Sequence, residues 1–371
     1  MKVKSITLHN FKRFEDFHLS FENDVLLEVS DRFLILGDNG TGKTTILQAI
    51  ALPLALATRR ISDISDIHWS GFLAGRYWRN GAPKIELTVT FTEQERLATR
   101  AIAQRWYDRQ PAEFKHNRPF TEPGNSPEVT LLLDGDYWQA GNTPEERAQF
   151  QGRYYAQALL KRGDYEARST FRDLPGVFWF DQFRNLGSQT ASESAIENGQ
   201  SFSTQPTFEA GVSQLRQYLV SWYQRQQLNP NAQNGDDYLS QLEVLYQRIF
   251  PNRRFFGVER VPRLDSPTED TTYFLLEDEQ NRHYDVAEMS AGEQSIFPIL
   301  YEFVRQQISN SIVLIDEIDL NLHPPAAQHL MKQLSRLDPS CQFIVTTHSE
   351  AASAIASPYE LHRLPGGALC L

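Results

Sequence analysis

One stretch limits what this chain can fold into more than any other. Phe33 Leu34 Ile35 Leu36 is a short apolar run, Gly37 Asp38 Asn39 Gly40 Thr41 Gly42 Lys43 Thr44 Thr45 is spaced by glycines, and Ile46, Leu47, Ala49 and Ile50 resume at helical spacing. Strand, loop and helix in that order give the context that the G-x-x-x-x-G-K-[ST] pattern requires. Glycines let backbone N–H groups curl around an anionic phosphate, and the new helix aims the positive end of its dipole at the same charge. Lys43 is expected to reach the β and γ phosphates of a nucleotide, and Thr44 to offer its hydroxyl to Mg²⁺.

Composition narrows the class. The chain has 371 residues, enough for one large domain or two of ordinary size. Two cysteines, Cys341 and Cys370, make no disulfide framework or zinc pair, which fits a reducing, cytoplasmic setting. Residues 1–5 lack the apolar run of a leader, and the most apolar stretch, 49–57, is too short to span a bilayer, so a soluble protein without membrane contact is expected. The formal net charge of -11 leaves nucleic-acid binding to a local basic patch, if any.

In chain order, 3–8 alternates as a strand and 17–21 pairs with it. Lys12 and Arg13 lie between them, just before the phosphate loop; they either touch the nucleotide or are solvated charges beside a buried phenylalanine. Pro53 is expected to end or kink the following helix near Leu52, leaving 54–61 as a second helical piece. Residues 85–91 read as a strand, and Thr92 with Glu95 forms a capping box for a helix reaching Gln110. That helix and its exit carry Arg96, Arg100, Arg105, Arg109, Lys115 and Arg118 among aromatics, a mixture able to hold a nucleic-acid backbone. Against this, Arg96 and Arg105 fall on opposite faces and acidic residues interrupt the charge, which favours a solvated face.

Residues 129–133 and 137–139 suggest a hairpin, 151–161 a helix, and 177–180 a short buried strand leading to Gln182. The polar stretch 188–207 is expected to be a mobile loop, and a second polar gap, 229–237, separates helical 211–227 from helical 238–249. Residues 272–276 and 283–286 make a hairpin. Met289 Ser290 Ala291 Gly292 Glu293 Gln294 then opens a helix, with a kink expected at Pro298. Residues 311–315 are continuously apolar, as in a strand buried on both faces, and end in Asp316 Glu317. Pro324 Pro325 starts a helix, 343–347 is another buried strand that delivers His348, and 360–371 is expected to close as a hairpin.

Phosphoryl transfer to water needs a phosphate cradle, a metal, a group that activates the water and donors for the developing charge. In a doubly wound sheet the carboxyl ends of the strands form one crevice, so Leu36, Ile315 and Thr347 would deliver Gly37, Asp316 and His348 to the same place. Asp316 would hold Mg²⁺, leaving Glu317 to polarise the attacking water. Gln182 would contact the metal or the water, or is a plain surface glutamine. Ser290 and Gly292 form a second anion-binding helix start, which would serve a nucleotide on another copy of the chain.

These residues resemble the ABC-type ATPases of the SMC and RecF kind: the loop 37–44, then 289–294, then 312–317, Asp319 and His348. Residues 8–14, with Asn-Phe-x-x-Phe, are similar to that family's N-terminal signature, and Leu320 Asn321 Leu322 His323 Pro324 is similar to the stretch after the Walker B motif in stand-alone and OLD-family ATPases. The resemblance implies an α/β ABC-ATPase head, a P-loop mixed sheet with flanking helices and N-terminal antiparallel strands, carrying a compact α+β insert. It divides the chain into an N-terminal ATPase part (1–60), an insert or arm (61–176), a Q-loop and helical region (177–286) and a C-terminal ATPase part with signature, Walker B, D-loop and His switch (287–371). It also implies a homodimer or higher homo-oligomer sandwiching two ATPs with Mg²⁺. Lys43, Thr44, Gln182, Asp316, Glu317 and His348 would act in cis, Ser290, Gly292 and Asp319 from the partner with Glu293 in the same signature, and Lys12 and Arg13 match nucleotide contacts. Met289 and Ala291 depart from the commoner Leu and Gly, there is no long coiled coil, and the short tail after His348 puts any Toprim nuclease on a separate chain. The expected function is an ATP-hydrolysing sensor that controls a separate effector such as a nuclease in bacterial anti-phage defence. The alternatives are a RecF-like DNA clamp in repair and a scaffold locked by ATP.

Overall fold

A computed structural model describes residues 1–23, 28–69, 71–76, 81–182, 208–228, 237–262 and 270–365. These fall into two compact units, one of Met1–Gln182, Gln307–Asp319 and His323–Leu371, the other of Phe183–Gln306 and Leu320–Leu322.

The first unit holds two five-stranded sheets. One is parallel throughout, in the order Leu361–Arg363, Arg32–Leu36, Gln342–Thr347, Ser311–Ile315, Gly176–Phe180. Its three inner strands are wholly or almost wholly buried, as their unbroken apolar runs require. Leu36 pairs with Thr347, and Ile315 with both Val345 and Phe180, so the loops after four neighbouring strands leave from one edge. The other sheet is antiparallel: Phe14–Ser20, Lys2–Phe11, Lys84–Thr90, Glu128–Asp134, Tyr137–Ala140.

The helix Lys43–Ala57 packs against strands of both sheets, and only Thr44 and Thr45 in it are not buried. A helix apolar on every side has nowhere else to go. It does not end at Pro53, and no second helix spans 54–61. The missing proline hydrogen bond costs about 3 kcal/mol, whereas burial of Leu52, Leu54 and Leu56 contributes roughly 1.5–3 kcal/mol each. Packing wins.

The stretch 61–176 does not stand apart as an insert. Lys84–Thr90 pairs directly with Lys2–Phe11, and Glu93–Asp108 packs against Gly152–Lys161 through Ile102, Ala103, Tyr155 and Leu159 in the same unit. Both bonds of the Thr92–Glu95 capping box are present. The segment expected to begin a terminal hairpin instead pairs in parallel with Arg32–Leu36, and 366–371 lie outside the described residues.

The second unit has an antiparallel sheet, Arg254–Pro262, Asp270–Glu277 and His283–Asp285, and helices Phe208–Leu228, Tyr238–Ile249 and Ala291–Arg305. Trp222 stacks on Tyr301 at 5.3 Å, while Tyr246, Phe274 and Phe297 fill the interior. The helix Ala291–Arg305 continues through Pro298. Of the stretches expected to be loops, 188–207 lies outside the described residues, as does all of 229–237 but Asp237, which caps the helix Tyr238–Ile249.

Candidate active site

The loop after Arg32–Leu36 turns through Gly40 and Gly42, both with positive φ (74° and 105°). Gly42 is fixed twice over, because a Cβ there would lie 2.6 Å from Arg13 Cδ and 2.7 Å from Phe14 Cζ. The strand turn at Lys12–Phe14 therefore lies against the phosphate loop. Asp38, Asn39 and Gly40 are exposed at the tip. The helix that follows has Gly42 as N-cap, no side-chain cap hydrogen bond and no acidic residue in its first turn.

Lys43 is 5% exposed, and its Nζ donates to Gly37 O (2.8 Å), Asp38 O (3.0 Å) and His348 Nδ1 (3.1 Å). Burial holds its ammonium below the ordinary lysine range, against the pull of Glu317, Asp316, Asp319 and Asp38. A charged lysine can only donate, so Nδ1 accepts and the ring proton sits on Nε2. That Nε2–H faces Glu317 Oε1 at 3.0 Å. Lys43, His348 and Glu317 thus form one chain with a defined tautomer.

Asp316, 1% exposed, accepts from Thr44 Oγ1 through Oδ2 (2.7 Å) and from Thr346 Oγ1 through Oδ1 (2.6 Å). Burial raises its carboxyl above the usual range, and the two hydroxyls partly offset this. Glu317 has a left-handed backbone, φ 48°, unusual for a residue with a long side chain. Asp319 accepts from Thr347 Oγ1 at 2.6 Å. Gln182 follows the strand that pairs with Ile315, and Asp316 N donates to Phe180 O.

Lys12 is turned away from the loop. Its Nζ donates to Gln48 Oε1 (2.5 Å) and Gly71 O (3.2 Å) and sits 4.9 Å from the Phe72 ring, and burial lowers its ammonium to about 8. Arg13 is exposed, with its stem over Gly42.

In the second unit Ser290 caps the helix Ala291–Arg305. Its hydroxyl donates to Glu293 Oε2 (2.7 Å), and the same oxygen accepts from Ser290 N (2.9 Å). Tyr246 and Tyr284 donate their phenol protons to Oε1 (2.5 and 2.7 Å), and these hydrogen bonds hold the Glu293 carboxyl below its ordinary range although burial pushes the other way. Gly292 lies against Leu322, with its missing Cβ 3.2 Å from Leu322 Cδ2.

The family model described as "AAA domain, putative AbiEii toxin, Type IV TA system" matches residues 152–354, more than half of the chain. The chain belongs to this AAA-domain family. A model described as "AAA ATPase domain" matches residues 1–127, so the two matches hold the phosphate loop and the Asp316–His348 segment between them. The "Retron Ec83 probable ATPase" of Escherichia coli is 23% identical over 395 residues, 94% of this chain and 69% of that one. The "Retron Vc95 probable ATPase" of Vibrio cholerae serotype O1 biovar El Tor is 20% identical over 386 residues, 94% and 70%. Among solved structures, an SMC head bound to the C-winged helix domain of ScpA covers 95% of this chain with 92% of its own, at 14% identity and TM-score 0.48.

This protein is thus an AAA-type ATPase, and most of its arginine cluster is paired within the chain. Arg96 donates to Asn125 O, Arg100 to Pro123 O (2.9 Å), Arg105 to Asp164 (2.6 Å) and Glu166 (2.9 Å), and Lys115 to Asp108 O (2.9 Å). Among the described residues of the ATPase, no helix is long and apolar enough to cross a membrane. Sequence reading passed over Thr346 as the end of a buried strand. The signal was there, since a hydroxyl in such a strand must find a partner.

Proposed function

We propose that this ATPase works as a nucleotide-sandwich dimer, sensing a trigger and controlling a separate effector in bacterial anti-phage defence. The observation that carries the reading is the continuous chain Lys43–His348–Glu317 beside Thr44–Asp316 at the end of one parallel sheet. The retron relatives support a bacterial setting.

The uncapped helix start and the loop amides receive the phosphates, and Lys43 exchanges its carbonyl partners for phosphate oxygens. Thr44 and Asp316 offer hard oxygen donors 2.7 Å apart. Among the described residues no group of three or more His, Cys, Asp or Glu could hold a metal. A hydroxyl beside one carboxylate suits Mg²⁺, which takes one or two carboxylates and keeps its waters. When bound there it neutralises charge on the β and γ phosphates. Glu317 takes a proton from water as the water oxygen bonds to the γ phosphorus; the bond from that phosphorus to the β–γ bridging oxygen breaks, and ADP leaves. His348 offers its Nε2–H as a hydrogen bond to the γ phosphate and keeps the proton, with Gln182 on the neighbouring strand end. Ser290 and Gly292 approach the nucleotide from a second copy, and Asp319 joins them.

The test is the solution mass of Glu317→Gln with and without ATP and Mg²⁺, beside isolation of the native complex from lysate. ATP should convert the variant to a dimer, with a second protein retained. A mass that ignores ATP contradicts the sandwich.

A further inference from the structure

Thr346 is completely buried, and both of its oxygens work on the segment that carries the acidic pair. Its Oγ1 donates to Asp316 Oδ1 (2.6 Å) and accepts from Glu317 N (2.8 Å), while its carbonyl oxygen accepts from Ile318 N (2.9 Å). Three successive residues on the neighbouring strand's exit are thus tied to one threonine. The consequence is directional. With Oδ1 of Asp316 held by Thr346, Oδ2 is the oxygen turned to Thr44. With its N–H held, Glu317 keeps the left-handed backbone that sends its carboxylate to His348 rather than alongside Asp316. Isolated left-handed residues are unfavourable for side chains of this kind, so the conformation persists only where the surroundings impose it.

We infer that Thr346 is a positioning residue for hydrolysis: its single hydroxyl separates the jobs of two adjacent carboxylates, one facing the Thr44 oxygen and one facing the attacking water. The inference rests on the roles proposed above for Asp316 and Glu317. Thr347, next along, binds Asp319 and Ser349 N instead, so the two threonines serve different loops.

The experiment compares Thr346→Val, Thr346→Ser and Glu317→Gln, alone and with Thr346→Val added to Glu317→Gln. The readouts are kcat for phosphate release and the affinity for a fluorescent ATP analogue with Mg²⁺. Valine keeps the shape and the carbonyl contact but removes both hydroxyl bonds. We expect Thr346→Val to lower kcat about tenfold to a hundredfold, the usual effect of losing a residue that orients another, with analogue affinity changed by less than about threefold. Serine should restore most of kcat. Adding Thr346→Val to Glu317→Gln should cost less than Thr346→Val costs in the native protein, because the part that acts through Glu317 is already lost and only the part through Asp316 remains. An unchanged kcat in Thr346→Val overturns the proposal. So does an equal loss of affinity, a failure of serine to rescue, or a fully additive loss in the double variant. If Glu317→Gln itself hydrolyses ATP normally, the base assignment fails independently of Thr346. Should Thr346→Val not fold, Thr346→Ala removes the same two bonds without placing a methyl against Asp316, at the loss of the threonine methyl as well, and is read in the same way.

Discussion

Two helix starts in this molecule are finished in opposite ways. The helix Lys43–Ala57 begins at a glycine, without a side-chain cap and without an acidic residue in its first turn. The helix Ala291–Arg305 begins at Ser290 with a complete capping box, in which the Glu293 carboxylate accepts from both the backbone N–H and the hydroxyl of Ser290. Both offer the positive end of a dipole, but only the first does so without a side-chain cap. The anion-binding expectation for Ser290 and Gly292 therefore depends on Ser290 turning its hydroxyl away from Glu293. A helix start in sequence is a site only if its own side chains leave it open.

The largest effect that would break the contrast belongs to Lys43. Lys43→Ala should weaken an ATP analogue by at least about thirtyfold, the loss of a charge-assisted contact of roughly 2–3 kcal/mol, whereas Ser290→Ala should leave binding to a single copy unchanged. Equal losses in a titration of the two would erase the distinction.

Next comes the cap. Glu293→Ala strands the buried Tyr246 phenol and leaves the half-buried Tyr284 and the exposed Ser290 hydroxyl without this acceptor, and should cost about 2–4 kcal/mol in a urea midpoint series. A loss below about 1 kcal/mol would mean that the carboxylate is not the keystone of that helix start.

A smaller effect has the opposite sign. Burial raises the Asp316 carboxyl, so the folded state disfavours its ionised form and bears that cost at neutral pH. Asp316→Asn should raise the melting temperature of the nucleotide-free protein by roughly 1–3 °C while abolishing hydrolysis. A lower melting temperature would show that the Thr44 and Thr346 hydrogen bonds outweigh desolvation.

The smallest prediction concerns Lys12, whose ammonium is lowered to about 8 from an ordinary 10.5. Between those values the unfolded chain holds a proton that the folded chain has released, so stability rises with pH through that window and is flat below it. Urea midpoints of the native protein should climb relative to Lys12→Met from about pH 8 to pH 10. Parallel profiles would place the lysine in water.

The phosphate loop and the two strand ends carrying Asp316 and His348 were legible because buried parallel strands leave continuous apolar runs and deliver their next residues to one edge. The strand Arg254–Pro262 was not legible. A register shift between Phe255 and Gly257 breaks its alternation, and Gly257 has a positive φ of 137° where a Cβ would come within 3.2 Å of the Tyr223 ring. Pro53 misled in the other direction, since a local penalty says nothing about how much apolar surface a helix buries on both sides. Lys12 sits where a nucleotide contact would be drawn from chain position, yet its ammonium is held by Gln48 and lies over the Phe72 ring.

The measurement that bears most directly on the proposed chemistry is phosphate release from ATP by Glu317→Gln beside the native protein, with ATP binding recorded on the same samples. The geometry predicts that the variant binds ATP with native affinity and releases phosphate at least about a hundredfold more slowly, as loss of a general base requires. Native turnover by Glu317→Gln would contradict it and move the water-activating role to another residue.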